Sequence, residues 1–432
     1  MKKKLAYVLM ILLMGSLTSC TESTLSTEEM KNISEEESIT MEMVSKDEMS
    51  IEDYLVGNNE ALTDIESLEG LMISDEELQK YEIFLTGEIH GIKANSQLGM
   101  AFLKYFKERT DFKYLLEENS YSSSHFLNKF LETGDMTVLD RVYERRKRGN
   151  AYDQEGYDYY LELYRYNGTL SEDRKIRIVG IDIEHDVKLA YRYLIDIIPK
   201  EDAPSEIRES VEMLKETHDL IEKSTQNKYK GEKNAATILD DIKLNRKSYE
   251  LYFGEDAPYL ELVLTNIING EQAYKLNYDP VEWNNARDKM IYDNFGVVDD
   301  ILPKGSYYGQ WGAAHIFQEE DSDVKWLGAY LNSNSKYENK VLSIMYNYID
   351  CEMKTGVKEK TKVTFALPFV AEFVGIDDQD FIMFKVNGEE ANRPFIPMNN
   401  IYAETVSDKD VSKFIQYIIL VRNSGANEPL DH

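Results

Sequence analysis

One segment of the chain decides the fold class: Tyr81-Glu82-Ile83-Phe84-Leu85-Thr86-Gly87-Glu88-Ile89-His90-Gly91. Its short apolar run predicts a buried strand, and the glycines and polar residues that follow predict where this strand ends. An apolar run followed by polar or ionisable residues occurs again at residues 112–119, 176–186 and 306–315. Helical patterns follow the first three of these four segments. Strand, loop and helix in this order are typical of parallel strands in an α/β protein.

The carboxyl ends of parallel strands lie at one edge of a sheet, where ligands bind. We therefore expect the polar clusters that follow the four strands to converge at this edge. From residue 201 to about 280 the pattern turns helical and charged. The sequence thus predicts an α/β fold with a largely parallel sheet flanked by helices. It also predicts an all-helical insertion, about residues 201–280, over the carboxyl edge of the strands.

The first twenty residues have the pattern of an export signal. Three lysines at positions 2–4 precede an apolar run from Leu5 to Leu17, which is too short for a permanent membrane span. The run ends in Leu17-Thr18-Ser19-Cys20, which resembles the bacterial lipobox, where the cysteine is acylated, for instance with palmitate. Residues 1–20 are therefore predicted to be a lipoprotein signal peptide. Cys20 is the expected lipidation site, which would anchor the protein to the extracytoplasmic face of the cell membrane.

The chain is strongly acidic, and its acidity is unevenly distributed. A formal net charge of −30 over 432 residues repels a phosphate backbone, so nucleic acid is excluded as a partner. Residues 21–80 carry 18 acidic and 3 basic side chains and contain no proline. This composition favours an acidic disordered tether at residues 21–64, followed by the α/β domain at residues 65–432.

Glu88 and His90 are the first candidates for catalysis. They stand two residues apart at a strand end, so in an extended conformation both side chains point to the same side. A carboxylate beside an imidazole raises the basicity of the ring and fixes its tautomer, as a general base that activates water requires. The plainer alternative is a solvated loop or a helix cap, because a lone Gly-Glu-x-His pattern is a weak signal.

The other strand ends enlarge this set of candidates. Only one of Glu117 and Glu118 can face the pocket, since adjacent strand residues point to opposite sides. His315 is a second imidazole, with two open roles: to donate a hydrogen bond to a developing oxyanion or to serve as an acid. These side chains are also compatible with a divalent metal such as zinc or manganese, although no His-Glu-x-x-His motif occurs. A further polar cluster follows the third strand: Asp182, Glu184 and His185.

The order of these motifs resembles the erythromycin esterase-like family. The family belongs with the ChaN-like haem-binding lipoproteins and the TIKI and TraB proteins in one α/β superfamily. The resemblance covers about residues 80–425. It is carried by Gly87-Glu88-Ile89-His90-Gly91, by Leu116 to Asp135, by Gly180-Ile181-Asp182, and by Arg287-Asp288-Lys289-Met290 through to His315.

The resemblance implies a hydrolase in which a histidine activates water to cleave an ester, a lactone or a related bond. It assigns the base to His90, with Glu88 as its support. Glu118 is then expected to help position the base or the water, and His315 to stabilise the oxyanion. Glu118 is preferred over its neighbour because it stands three residues before Tyr121, as in the family pattern. We expect supporting or substrate-binding roles for Asp182, Glu184 and Arg287.

One departure from the family pattern leaves alternatives open. Only Ile89 separates Glu88 from His90, as in the ChaN and TIKI branches, whereas the macrolide esterases have two residues there. The alternative function is therefore a ChaN-like lipoprotein that binds haem or another small ligand without catalysis. A surface interaction module that uses neither His90 nor His315 is the third hypothesis.

Replacing Cys20 tests the predicted anchor. Cys20→Ala removes the thiol that would carry the lipid, so we expect the protein to leave the membrane fraction and to lose acyl label. Metabolic labelling with an alkyne analogue of palmitate, followed by fractionation, measures both changes. The matched control is Cys351→Ala, which removes the other cysteine of the chain and should keep the label. Acylation of the Cys20 variant would contradict the prediction.

Overall fold

The computed structural model describes residues 49–144, 147, 151–224, 231–373, 379–388, 393–400 and 405–430. The predicted signal peptide, Cys20 and the first part of the predicted tether lie outside these ranges. Among the helices of the described residues, none is long and apolar enough to cross a membrane.

The centre of the fold is a mixed sheet to which nine strands of the described residues contribute. Two further short strands, β9 and β10, pair only with each other. In chain order the strands are β1 (Asn59–Ala61), β2 (Ile83–Glu88), β3 (Tyr114–Ser120), β4 (Arg177–Asp182), β5 (Tyr307–Gly312), β6 (Val341–Lys354), β7 (Lys360–Phe365), β8 (Phe381–Lys385), β9 (Pro397–Asn400), β10 (Thr405–Asp410) and β11 (Tyr417–Arg422).

The sheet is largely parallel, as the sequence predicts. Its order is β1-β8-β11-β6-β2-β5-β3-β4, and β7 pairs with β6 outside this path. The six neighbouring strands from β11 to β4 are parallel, while the pairs that involve β7 or β8 are antiparallel. Strand β2 lies in the middle, with Ile83 opposite Tyr307 of β5 and Val341 of β6. All six residues of β2 are buried, so both faces of the sheet are covered at this point.

Helices surround this sheet. They are α1 (Ile51–Gly57), α2 (Asp75–Leu78), α3 (Ala94–Thr110), α4 (Tyr121–Thr133), α5 (Met136–Tyr143), α6 (Gln154–Thr169), α7 (Val187–Asp196), α8 (Arg208–Lys223), α9 (Glu232–Phe253), α10 (Ala257–Tyr274), α11 (Pro280–Ile301), α12 (Leu327–Asn332) and α13 (Pro368–Phe373). Helix α4 shows how the sequence sets the ends: Ser120 caps it by accepting from the amide of Ser123, and it ends at Gly134 in the left-handed conformation.

The predicted extent of the tether, to residue 64, is wrong. Residues of α1 are folded onto the body, with Tyr54 and Leu55 buried, and β1 pairs antiparallel with β8 at the edge of the sheet. The hydroxyl of Tyr54 donates to the carbonyl of Lys385 at 3.1 Å, 331 residues further along the chain. This part of an acidic segment is ordered because its few apolar side chains find partners in a distant strand.

The helical insertion consists of α8, α9 and α10. Helix α8 packs against α7, and α10 packs against α9 and α11. Gly270 allows α10 to approach the end of β4 closely, since a Cβ at this position would lie 3.1 Å from the carbonyl oxygen of Glu184. The C-terminal residue of α10, Tyr274, thereby reaches the edge of the sheet at which the polar clusters meet.

Leu55→Ala tests whether α1 belongs to the folded body. Leu55 is 1% exposed, so its truncation should lower the free energy of unfolding by about 2–5 kcal/mol. Urea unfolding followed by circular dichroism measures the change. The control is Val56→Ala in the same helix, which is 52% exposed and should change this energy by less than about 0.5 kcal/mol. Equal stability of both variants would show that α1 does not contribute to the core.

Candidate active site

The predicted polar clusters converge on one cleft of about 470 Å³ at the carboxyl edge of the sheet. Its lining includes Glu88 at the end of β2, His90 just after it, Glu118 near the end of β3, and His185 after β4. Gly180 contributes to this convergence, because a Cβ there would come 2.2 Å from the carbonyl oxygen of Ser120. A glycine at this position therefore lets the end of β3 pack directly on β4.

Glu88 and His90 form a hydrogen-bonded pair. Oε1 of Glu88 bonds to Nδ1 of His90, and Oε2 of Glu88 accepts from the side-chain amide of Asn95. The hydroxyl of Tyr348 donates to Oδ1 of Asn95 at 2.6 Å and so fixes this amide. Because Nδ1 of His90 is committed to Glu88, its Nε2 is free for other partners and lies 3.9 Å from Oε2 of Glu118.

The neighbouring carboxylates set the protonation state of His90. Glu88 raises the pKa of His90 to about 9, while burial opposes this shift and Glu118 adds to it. The His90 side chain still keeps 48% of its surface exposed, so solvent and substrate can reach it. His90 is therefore mainly protonated at neutral pH, and the fraction that can accept a proton grows as the pH rises.

Arg287, on α11, ties two strand ends together. Its Nε donates to Oδ1 of Asp182 at 3.0 Å, and its Nη2 donates to Oδ2 of Asp182 at 2.6 Å and to Oε1 of Glu118 at 2.7 Å. Burial alone would raise the pKa of Asp182, but Arg287 and His185 hold it well below its ordinary value. Burial would also raise the pKa of Glu118, but His315 and Arg287 hold this pKa well below its ordinary value. Both carboxylates are therefore ionised.

His315 lies behind Glu118, not at the surface of the cleft. Its Nδ1 bonds to Oδ1 of Asp288 at 2.7 Å, and its Nε2 lies 3.5 Å from Oε1 of Glu118. Its side chain is only 8% exposed, and it is not among the residues that line the cleft. Burial opposes a charge here, but Asp288 and Glu118 raise the pKa of His315 to about 10. His315 is thus a buried cation beneath the cleft.

The structure separates the adjacent carboxylates of β3. Glu117 accepts from the hydroxyl of Tyr160 at 2.9 Å, whereas Glu118 accepts from the amide of Gly312 at 2.9 Å and turns towards the cleft. This alternation is what a strand imposes.

Glu184 does not line the cleft. It is buried and accepts from the amide and the hydroxyl of Ser122, at 3.2 and 2.5 Å, in the first turn of α4. Burial raises the pKa of Glu184 to about 7. The structure therefore places Glu184 at the start of a helix, where it holds α4 against β4.

The sequence does not identify two residues of this site, Tyr274 and Asp288. Tyr274 lines the cleft, and its hydroxyl lies 2.6 Å from Nδ1 of His185, which is 89 residues away in the chain. No local pattern distinguishes it from the other 29 tyrosines. Asp288, which orients His315, has one signal in the sequence, its position directly after Arg287.

The carboxylates nearest the centre of the site already share a cation. Glu118 and Asp182 both accept from the guanidinium of Arg287. Within the ranges that the structure describes, no group of three or more His, Cys, Asp or Glu side chains is arranged to hold a metal ion. A divalent metal thus has no defined set of ligands in this part of the chain.

Solved structures of other proteins identify the fold. A protein from Bacillus cereus, 15% identical, aligns over 88% of this chain and 98% of its own with a TM-score of 0.63. A succinoglycan biosynthesis protein, 13% identical, covers the same shares with the same TM-score. A mutant of the erythromycin esterase EreC in its open conformation, 12% identical, covers 86% of this chain and 99% of its own with a TM-score of 0.60. The chain has the fold of an erythromycin esterase.

The likeness is one of fold, and it confirms the α/β architecture that the sequence motifs predict. No protein-family model matches the sequence, and no curated protein matches it significantly. The haem-binding ChaN of Campylobacter jejuni aligns with a TM-score of 0.29, which carries no argument about haem. The chemistry of the site therefore depends on the side chains that this chain places there.

Glu88→Gln tests the electrostatic effect of Glu88 on His90. The substitution keeps the shape of the side chain and removes its charge, so the pKa of His90 should fall towards the ordinary value near 6.5. Titration of the His90 ring by NMR measures this shift without any substrate. His125, which bonds to Asp196 at 2.8 Å and does not line the cleft, is the internal control. An unchanged titration of His90 would show that Glu88 does not set its charge.

Proposed function

We propose that this protein is a hydrolase in which His90 activates a water molecule to cleave an ester, a lactone or a related bond. The observation that carries the proposal is the Glu88–His90 pair at an open cleft, with Nδ1 of His90 held by Glu88 and Nε2 left for substrate or water. An imidazole oriented by a carboxylate in this way is the usual arrangement of a general base.

The reaction begins with water between His90 and Glu118. The 3.9 Å between Nε2 of His90 and Oε2 of Glu118 exceeds a direct hydrogen bond and allows one water molecule to contact both atoms. Nε2 of His90 takes a proton from this water as the water oxygen attacks the carbonyl carbon. Glu118 accepts the second hydrogen of the water and so orients its lone pair towards the substrate.

Arg287 and His315 act through Glu118 in this mechanism. Both are cations that contact Glu118 and keep it ionised, so that it accepts a hydrogen bond from water and does not donate one. The burial of His315 does not support the direct contact with an oxyanion that the sequence suggests. We assign His315 the role of a positioning residue, and Asp288 orients its ring.

The chemistry of the cleft favours hydrolysis over simple retention of an apolar ligand. Its lining combines Glu88, His90, Glu118 and His185 with few apolar side chains, such as Val142 and Leu189. A polar cleft with paired ionisable groups suits proton transfer better than the binding of a large apolar ring. The erythromycin esterase fold is consistent with this choice, and ChaN-like binding of haem remains the alternative that the experiment below separates.

We further propose that Cys20 anchors the protein to the outer side of the cell membrane. The lipobox-like Leu17-Thr18-Ser19-Cys20 and the preceding apolar run support this localisation. The acidic segment after Cys20 would then hold the folded body, which begins near Ile51, away from an anionic surface. The substrate would be a small molecule that reaches the cleft outside the cytoplasm.

The central test compares wild type and His90→Ala on a panel of lactones, esters and peptides. Loss of the base should lower kcat/KM by about 100-fold to 10,000-fold on every substrate that wild type hydrolyses. The control is His218→Ala in α8, a partly exposed histidine that does not line the cleft, and it should retain full activity.

The pH profile gives a second measure of the same base. Because the pKa of His90 is raised, kcat/KM of wild type should rise with pH up to about 9. In Glu88→Gln the rising limb should move to lower pH.

Equal activity of wild type and His90→Ala would refute the mechanism. Saturable haem binding, seen as a Soret shift and without hydrolysis, would favour the binding lipoprotein instead.

A further inference from the structure

A second chain of proton-carrying groups lies after β4 in the same cleft. The hydroxyl of Tyr274 lies 2.6 Å from Nδ1 of His185, and Nε2 of His185 lies 2.9 Å from Oδ2 of Asp182. Tyr274 and His185 both line the cleft that contains His90. None of these contacts is used by the Glu88–His90 pair.

Asp182 sets the direction of the hydrogen bond that it shares with His185. This carboxylate is fully buried, is ionised beside Arg287, and can only accept hydrogen bonds. Nε2 of His185 must therefore donate to Asp182, and in the doubly protonated ring Nδ1 donates to the oxygen of Tyr274, which leaves the hydroxyl proton of Tyr274 for another acceptor. A hydroxyl, an imidazole and a buried carboxylate in this order can relay a proton to the hydroxyl, the reverse of the direction in nucleophile–histidine–carboxylate triads.

Packing fixes the tyrosine at this place. The ring of Tyr274 lies 5.1 Å from the ring of Trp283 and contacts the buried cluster that includes Ile183 and Ala273. Its partner His185 keeps 27% of its side chain exposed, which leaves a route for proton exchange with solvent. The hydroxyl is thus held by a well-packed ring at the boundary between the α8–α10 insertion and the sheet.

We propose that Tyr274 is the general acid of this site, which protonates the leaving oxygen, and that His185 resupplies its proton. The inference rests on the proposed hydrolase function and adds a second catalytic residue to it. Tyr274 would contact the substrate, whereas His185 is a positioning residue that acts through Tyr274. Asp182 fixes the ring of His185.

When the bond between the acyl carbon and the leaving oxygen breaks, its electron pair stays on the oxygen, and the hydroxyl proton of Tyr274 moves to that oxygen. The tyrosinate then takes a proton from Nδ1 of His185, whose positive charge was stabilised by Asp182. His185 recovers a proton from solvent, and His90 releases to solvent the proton that it took from water.

A separate acid is needed because His90 is a poor donor. Its pairing with Glu88 stabilises the protonated ring, so the proton taken from water is held firmly. An alkoxide leaving group requires a proton as the bond breaks, whereas a para-nitrophenolate leaving group does not. The base and the acid stand at different strand ends of one cleft, with His90 after β2 and Tyr274 beside His185 after β4.

Leaving-group dependence of Tyr274→Phe tests the proposal. Wild type, Tyr274→Phe and His90→Ala are compared on ethyl and para-nitrophenyl esters of the same acid. We expect Tyr274→Phe to lose about 100-fold or more in kcat/KM on the ethyl ester and less than about 3-fold on the para-nitrophenyl ester. His90→Ala should lose activity on both. Tyr278→Phe, 76% exposed and four residues further on, is the matched control and should match wild type on both esters.

The possible results are distinguishable. An equal loss on both esters in Tyr274→Phe would overturn the assignment of a general acid and leave the His90 mechanism intact. Unchanged activity on both esters would also overturn it. If wild type hydrolyses neither ester nor any other substrate of the panel, the proposed hydrolase function fails and this inference fails with it. His185→Asn, tested alongside, should show the same dependence on leaving group as Tyr274→Phe.

Discussion

The buried guanidinium of Arg287 is the interaction on which the site depends. Asp182 is fully buried, and Glu118 is largely buried, so each carboxylate would be strongly destabilising without a compensating cation. Arg287 satisfies both from α11 and thereby holds the ends of β3 and β4 at a fixed distance. Arg287 thus helps to hold both Glu118 and Asp182, the carboxylate to which His185 bonds.

A cleft built around buried charges acquires its reactivity from the same contacts. Glu88 and Glu118 make His90 more basic, and Asp288 and Glu118 keep His315 charged, so the balance of carboxylates and cations decides which groups carry protons. The net charge of the whole chain says little about this balance. The acidic groups that decide the protonation of the site are the few carboxylates that contact a histidine or an arginine at a strand end.

The sequence predicts the sheet well and its amino-terminal edge poorly. Four apolar runs followed by polar residues give the parallel strands β2, β3, β4 and β5, since burial on both faces requires continuous apolar runs. Residues 51–61 stand in an acidic segment without sustained periodicity, and the composition of that segment predicts disorder there. Their order depends on the pairing of β1 with β8, which joins positions more than 300 residues apart and leaves no local pattern.

The sequence by itself determined the pair that carries the proposed chemistry and the carboxylate opposite to it. The two-residue spacing brings His90, just after β2, beside Glu88, the last residue of β2. Alternation along β3 allows only one of Glu117 and Glu118 to face the cleft. Only the tertiary structure decided that His315 is buried beneath the cleft and that Tyr274 meets His185. These two facts depend on how α10 and α11 pack against the sheet, and packing between distant elements cannot be read from spacing along the chain.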